Sequence, residues 1–161
     1  MYDTRCASAA INFYNMNYGE VIEIFENLEF KSLSEYVRLA ESYVHFRQLE
    51  RFQNTVFSII SYLEPLGHVH NDYRFDIMFW KCRSAIGYTQ QKSMEKAKRA
   101  FEDILKVLPD DFYEHLNHHQ IFMHAGIFYH KQRNMGKAEE FFEMSWNHCT
   151  KYHLGHELKS A

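Results

Sequence analysis

Four stretches of the chain repeat one amphipathic pattern. They read Val21-Ile-Glu-Ile-Phe25-Glu-Asn-Leu28, Phe52-Gln-Asn-Thr-Val56-Phe-Ser-Ile59, Ala97-Lys-Arg-Ala-Phe101-Glu-Asp-Ile104 and Ala138-Glu-Glu-Phe-Phe142-Glu-Met-Ser145. Each sets its packing residues at i, i+4 and i+7, which is one face of a helix. Nine residues ahead of three of them stands a tyrosine: Tyr43, Tyr88 and Tyr129. Each tyrosine closes an earlier helical pattern and is followed by a polar turn. The chain thus reads as helix pairs in series, and only 2 prolines and 6 glycines in 161 residues interrupt it.

The last pair carries the fullest pattern. Phe122, Ala125-Gly126 and Tyr129 mark its first helix; Lys131-Gln-Arg-Asn-Met-Gly-Lys137 forms the turn; Ala138, Phe142 and Ser145 mark its second. This order of bulky residue, large-small pair, aromatic, turn, small residue, aromatic and small residue resembles the tetratricopeptide repeat family. The third pair keeps Ala85, Tyr88, Ala97, Phe101, Ile104 and Pro109 but has Lys81 where a bulky apolar residue is usual. The second keeps Tyr36, Leu39-Ala40 and Tyr43 but has Phe52 for the small residue. In the first, Ala9 fits and Asn12 replaces the aromatic. The resemblance implies an all-α, right-handed superhelical stack of about four antiparallel helix pairs in one domain over 1–161. The pairs fall at about 2–30, 32–65, 72–109 and 111–149, with a C-terminal capping helix at about 151–161 anchored by Tyr152 and Leu154. A single pair cannot bury its own apolar face, so it stacks on neighbours, and an open end calls for a cap.

The second-helix starts Val21, Phe52, Ala97 and Ala138 are 31, 45 and 41 residues apart, against about 34 in the family. The extra length sits in Leu66–Tyr73, read as a loop or a longer first helix, and in Asp110–His119, read as a helical lead-in with acids at its start. Long repeats of this kind resemble those of bacterial peptide-sensing signalling proteins.

In the family the first helices line a concave groove. Alignment puts Cys6, Ala10 and Phe13 there, then Val37, Arg38, Glu41, Val44 and His45. Phe79, Cys82, Arg83, Ile86 and Gln90 follow, and then Met123, Ile127, His130 and Lys131. Most are apolar, which suits an amphipathic or extended segment of a partner. Arg38 and Arg83 occupy matching points of adjacent repeats, placed to hold one carboxylate or phosphate, unless they pair with neighbouring acids. The Lys and Asn clamp with which family members grip heat-shock chaperones is missing: Cys6, Ala10, Val37 and Glu41 stand in its place.

Composition narrows the partner class. The net charge of -3 supplies no basic field for nucleic acid. No apolar run spans a membrane, and Met1–Arg5 does not read as a signal peptide. Three cysteines, Cys6, Cys82 and Cys149, are odd in number and far apart, which argues for free thiols and a cytoplasmic location.

Chemistry is sparse. His115, His118, His119 and His124 cluster at helical spacing, and His148, His153 and His156 lie near the end, but no His-Glu-x-x-His or Glu-x-x-His metal pair exists. There is no nucleophile elbow and no phosphate loop. Cys82 beside Trp80 and Arg83 reads as core or groove lining, and Glu139, Glu140 and Glu143 as a solvated face. The expectation is a non-enzyme without metal or cofactor. It is a protein-interaction module, whether adaptor, scaffold or chaperone-like, that takes a peptide or helical segment of a partner. Size and mild acidity also suit a chaperone for secreted proteins. Three alternatives stay open: a peptide-sensing domain, a self-associating homodimer and a His-dependent metal protein.

Overall fold

The computed structural model describes Ile11 and residues 13–15, 17–68, 71–106 and 118–150. The expectations for Cys6, Ala9, Ala10, Asn12, Pro109, residues 110–117, His153, His156 and the cap at 151–161 lie outside the described residues. Among those described, the chain is all-helical. Ile11 and Phe13–Tyr14 are helical, and seven helices follow: α1 Tyr18–Glu26, α2 Leu33–His45, α3 Leu49–Gly67, α4 Asn71–Gln90, α5 Met94–Lys106, α6 His118–Lys131 and α7 Met135–Cys149. None is long and apolar enough to cross a membrane. The chain divides into two compact units, residues 1–91 and 92–161. The two helices of the third pair, α4 and α5, fall one in each.

The helix boundaries follow from local chemistry. Ser32 and Glu35 form a reciprocal cap at the start of α2: the Ser32 N–H donates to Glu35 Oε2 (2.9 Å), and the Glu35 N–H donates to Ser32 Oγ (3.4 Å). Asn134 caps α7 by accepting from the Lys137 N–H at 3.3 Å. The recurring tyrosine marks a recurring helix end. The Gln48 N–H donates to the Tyr43 carbonyl (2.9 Å) and the Arg47 N–H to the Val44 carbonyl (3.0 Å). Asn134 and Arg133 repeat this onto Tyr129 and His130 at 2.9 and 3.0 Å. This is the left-handed cap that usually takes glycine. Here its residue is basic: Arg47 has φ 53°, Arg133 φ 58° and Lys92, four residues past Tyr88, φ 60°.

In the first unit α1 packs on α2, α2 on α3, and α3 on α4. Their core is built from Phe25, Phe52, Ile59 and Leu63, each almost fully buried and each worth roughly 1.5–3 kcal/mol of burial. Phe52, where a small residue was expected, fits because α4 brings Gly87 opposite it; a Cβ there would lie 3.1 Å from the Phe52 ring. Volume moves from one helix to its neighbour while close packing is kept. Where it is described, the extra length of the third pair lies mostly in helix. α3 runs through Pro65 in its last turn to Gly67, and α4 starts at Asn71. A proline there forfeits little more than the bond to the Ser61 carbonyl.

In the second unit α6 packs on α7, and α5 joins them through Phe101 against Phe128, ring centroids 5.1 Å apart. Tyr129 stacks on Phe141 with ring centroids 5.5 Å apart, and Lys137 Nζ lies over the Tyr129 ring, 5.0 Å from its centroid. Ala138 is buried, whereas Phe142 lies against Gly126 with 38% of its surface still exposed.

Candidate functional site

Helical spacing puts Val37, Glu41 and Val44 on one face of α2, and Phe79, Arg83 and Ile86 on one face of α4. The fold brings the two faces together at their midpoints. Arg83 binds Glu41 through both guanidinium nitrogens, Nη1 to Oε1 and Nη2 to Oε2, the second at 3.1 Å. The guanidinium lies 5.2 Å from the Trp80 ring centroid, 5.6 Å from Phe52 and 5.9 Å from Phe79. Stacked rings and a forked carboxylate suit the planar cation of arginine and not the ammonium of lysine. The pair is half-sheltered, with side-chain exposures of 23% for Arg83 and 34% for Glu41.

This geometry changes one expectation. Arg83 is not free to share an external carboxylate with Arg38, because Glu41, which sequence alignment had placed in the same groove, already fills its fork. Arg38 is half-buried on α2. Val37, Val44 and Phe79 are half-buried and pack against the core cluster, so they form the floor of this face rather than ridges standing from it. Cys82 is buried, and that burial pushes its thiol up to about 12 even though Arg83 pulls it down. It offers neither a groove side chain nor a thiolate nucleophile. Phe13 meets Tyr18 edge-on at 5.6 Å, and Tyr18 lies against His45 at 4.3 Å, so two of the expected groove residues are joined by a tyrosine that the repeat pattern did not single out.

In the second unit Met123, Ile127, His130 and Lys131 are all exposed on α6. The histidines gather only in part. His119 and His148 stack with centroids 6.3 Å apart, His148 is buried, and Ser145 Oγ donates to the His119 carbonyl at 2.8 Å. Among the described residues no group of three or more His, Cys, Asp or Glu side chains is placed to hold a metal ion.

Two features escaped the sequence pattern. Tyr43 donates to Glu26 Oε1 at 2.5 Å and Arg51 reaches the same oxygen at 3.0 Å, tying α1, α2 and α3. Burial first, and then the Glu26 carboxylate, hold the Tyr43 hydroxyl well above its ordinary pKa. The second feature is an open cleft of about 450 Å³ where α2 and α3 meet the turn before α2, walled by Phe30, Tyr36, Phe57 and Tyr62. Its signal in the sequence is three aromatics standing outside the packing stripes: Phe30 in a polar turn, and Phe57 and Tyr62 off the Phe52-Val56-Ile59 line.

No protein-family model matches the chain, and neither does any curated protein or any solved structure.

Proposed function

We propose that the chain is a protein-interaction module of the tetratricopeptide kind, an adaptor, scaffold or chaperone-like protein that holds a peptide or helical segment of a partner. The observation that carries this reading is the α2–α4 face. Glu41 and Arg83, both on first helices and both assigned to the groove, meet there with apolar neighbours on either side. A caged ion pair in the middle of an apolar strip fixes the spacing of the two helices and leaves Val37, Val44, Phe79 and Ile86 as a preformed floor. Neither the buried thiol nor the stacked histidines supply a nucleophile or an acid–base pair, which favours binding over catalysis.

The test is site-specific photocrosslinking in native lysate. A benzophenone side chain replaces His45 on α2 or Gln90 on α4, both exposed positions assigned to the groove, or Glu50 or Glu95 as controls on α3 and α5. Adducts to one partner at His45 and Gln90 and not at the controls are the expected result. Adducts only at the controls, or none beyond the chain itself, would refute groove binding.

A further inference from the structure

Among the described residues of the second unit, the exposed large apolar side chains lie on α6 and α7. On α7, Met135, Phe142 and Trp146 follow at i, i+7 and i+11, a single helical stripe about 16 Å long; their exposures are 48%, 38% and 65%. Gly126 carries this stripe onto α6. With no side chain there, the Phe142 ring rests against the α6 backbone, where an added Cβ would meet it at 2.7 Å. The exposed α6 residues next to Gly126, three before it and one after, are Met123 and Ile127. Two packed helices with apolar side chains along their shared edge form a shallow trough of the width that receives a third helix.

Charge identifies that helix. Glu139 lies within the α7 stripe, between Met135 and Phe142, and Glu143 lies one turn further on; both are exposed, and neither pairs with a cation among the described residues. Lys137, the nearest cation on α7, is placed over the Tyr129 ring instead. An acidic rim disfavours an anionic lipid surface. It also disfavours a second copy whose two-fold axis passes through the stripe, because the same acids would then meet. We infer that the α6–α7 face seats a basic amphipathic helix of a partner protein, its apolar residues on Phe142 and Trp146 and its lysines or arginines on Glu139 and Glu143. This deepens the interaction-module reading and rests on it, but uses a surface other than the α2–α4 face.

Trp146 reports occupancy directly, because the other tryptophan, Trp80, is buried. The probe is an 18-residue Leu/Lys peptide with leucines at i, i+3, i+4 and i+7, compared with its Leu/Glu counterpart, against the whole 161-residue chain. The Leu/Lys peptide is expected to shift Trp146 emission to the blue and to bind at least tenfold tighter than Leu/Glu. Glu139→Lys with Glu143→Lys should invert that order. Ile127→Ser with Met135→Ser, both at exposed positions, should weaken binding at least tenfold with helicity unchanged. Binding indifferent to peptide charge, or no binding, would overturn the inference. So would shielding of Trp146 from acrylamide in the free chain: at every concentration it would mean the chain fills its own trough, and only at high concentration that a second copy does. Crosslinks from His45 that survive such a result would leave the interaction-module reading standing, and their loss as well would remove both.

Discussion

Gly87→Ala isolates the closest approach in the first unit. The added Cβ would lie 2.7 Å from Gln53 Nε2 and 3.1 and 3.3 Å from two atoms of the Phe52 ring. Phe52 is 1% exposed and has nowhere to go. Gln53 is held twice, donating to the Ser84 carbonyl at 2.9 Å and accepting from Ser84 Oγ at 2.5 Å. Overpacking a filled site costs about 1–3 kcal/mol, and each Gln53 bond lost adds about 1 kcal/mol. Replacing a mid-helix glycine with alanine returns about 1 kcal/mol of helix propensity. The balance is a net loss of about 1–3 kcal/mol, read as a lower urea midpoint followed by Trp80 emission, which reports on this unit. Gly136→Ala is the control: its nearest neighbour would be Asn134 Oδ1 at 4.0 Å, so its stability should hold or rise. Trimming the opposing ring should relieve the strain, so Phe52→Leu and Gly87→Ala should be coupled by about 1 kcal/mol in a double-mutant cycle. A Gly87→Ala chain as stable as the parent, or a cycle without coupling, would refute the account of how α3 and α4 approach.

Three further outcomes follow from the same geometry. Glu41→Gln leaves the ring-caged Arg83 without its carboxylate; because the pair is partly solvated, the cost should be about 1–2 kcal/mol, less than for a fully buried pair, measured by the same urea titration. Arg133→Gly should stabilise the second unit by up to about 1 kcal/mol by relieving a side chain at φ 58°, whereas Arg133→Val should destabilise it by about 1–2 kcal/mol, with helicity against temperature as the readout. The raised Tyr43 hydroxyl makes the native state hold its proton more tightly than the unfolded chain, so its contribution is fully present below pH about 10 and is lost as pH rises beyond it. Urea midpoints should therefore fall above pH about 10, and the fall should be shallower in Tyr43→Phe.

The helix pairs were legible because the 3.6-residue period and the tyrosine punctuation are local signals. Ala97, Phe101 and Ile104 were read as one packing face and are all buried. The cap of α2 was equally legible in Ser32-x-x-Glu35, although the repeat pattern drew attention elsewhere. The pairing of Arg83 with Glu41 was not, since nothing in either helix fixes which of several acids and bases meet across 42 residues. Helical period also cannot separate a core position from a half-exposed one at the edge of a stripe. Val44 and Ile127, both read as groove positions, show this: Val44 packs against the core cluster while Ile127 stands exposed. The aromatic cleft was hidden for the opposite reason, because Phe30, Phe57 and Tyr62 break the period instead of following it.

The two candidate surfaces differ in what they can discriminate. On the α2–α4 face the strongest charges are already spent on each other. A ligand carboxylate would have to displace Glu41 from a two-pronged contact inside a ring cage, and it would gain only the difference between two similar bonds. Selection there must come from the shape of the apolar floor, and substitutions of ligand charge should matter little. On the α6–α7 face the acids are exposed and unneutralised, while the apolar side chains stand out from the surface. Ligand charge should there govern the rate of encounter and its salt dependence, and apolar contacts the lifetime of the complex. Raising ionic strength from about 0.05 to 0.5 M shortens the screening length several-fold. It should therefore slow association at the α6–α7 face with little change in dissociation, and leave crosslinking from His45 on the α2 side largely unaltered. Equal salt sensitivity at both faces would mean that the Arg83–Glu41 pair opens in solution and that its charges, like those of Glu139 and Glu143, are offered to the ligand.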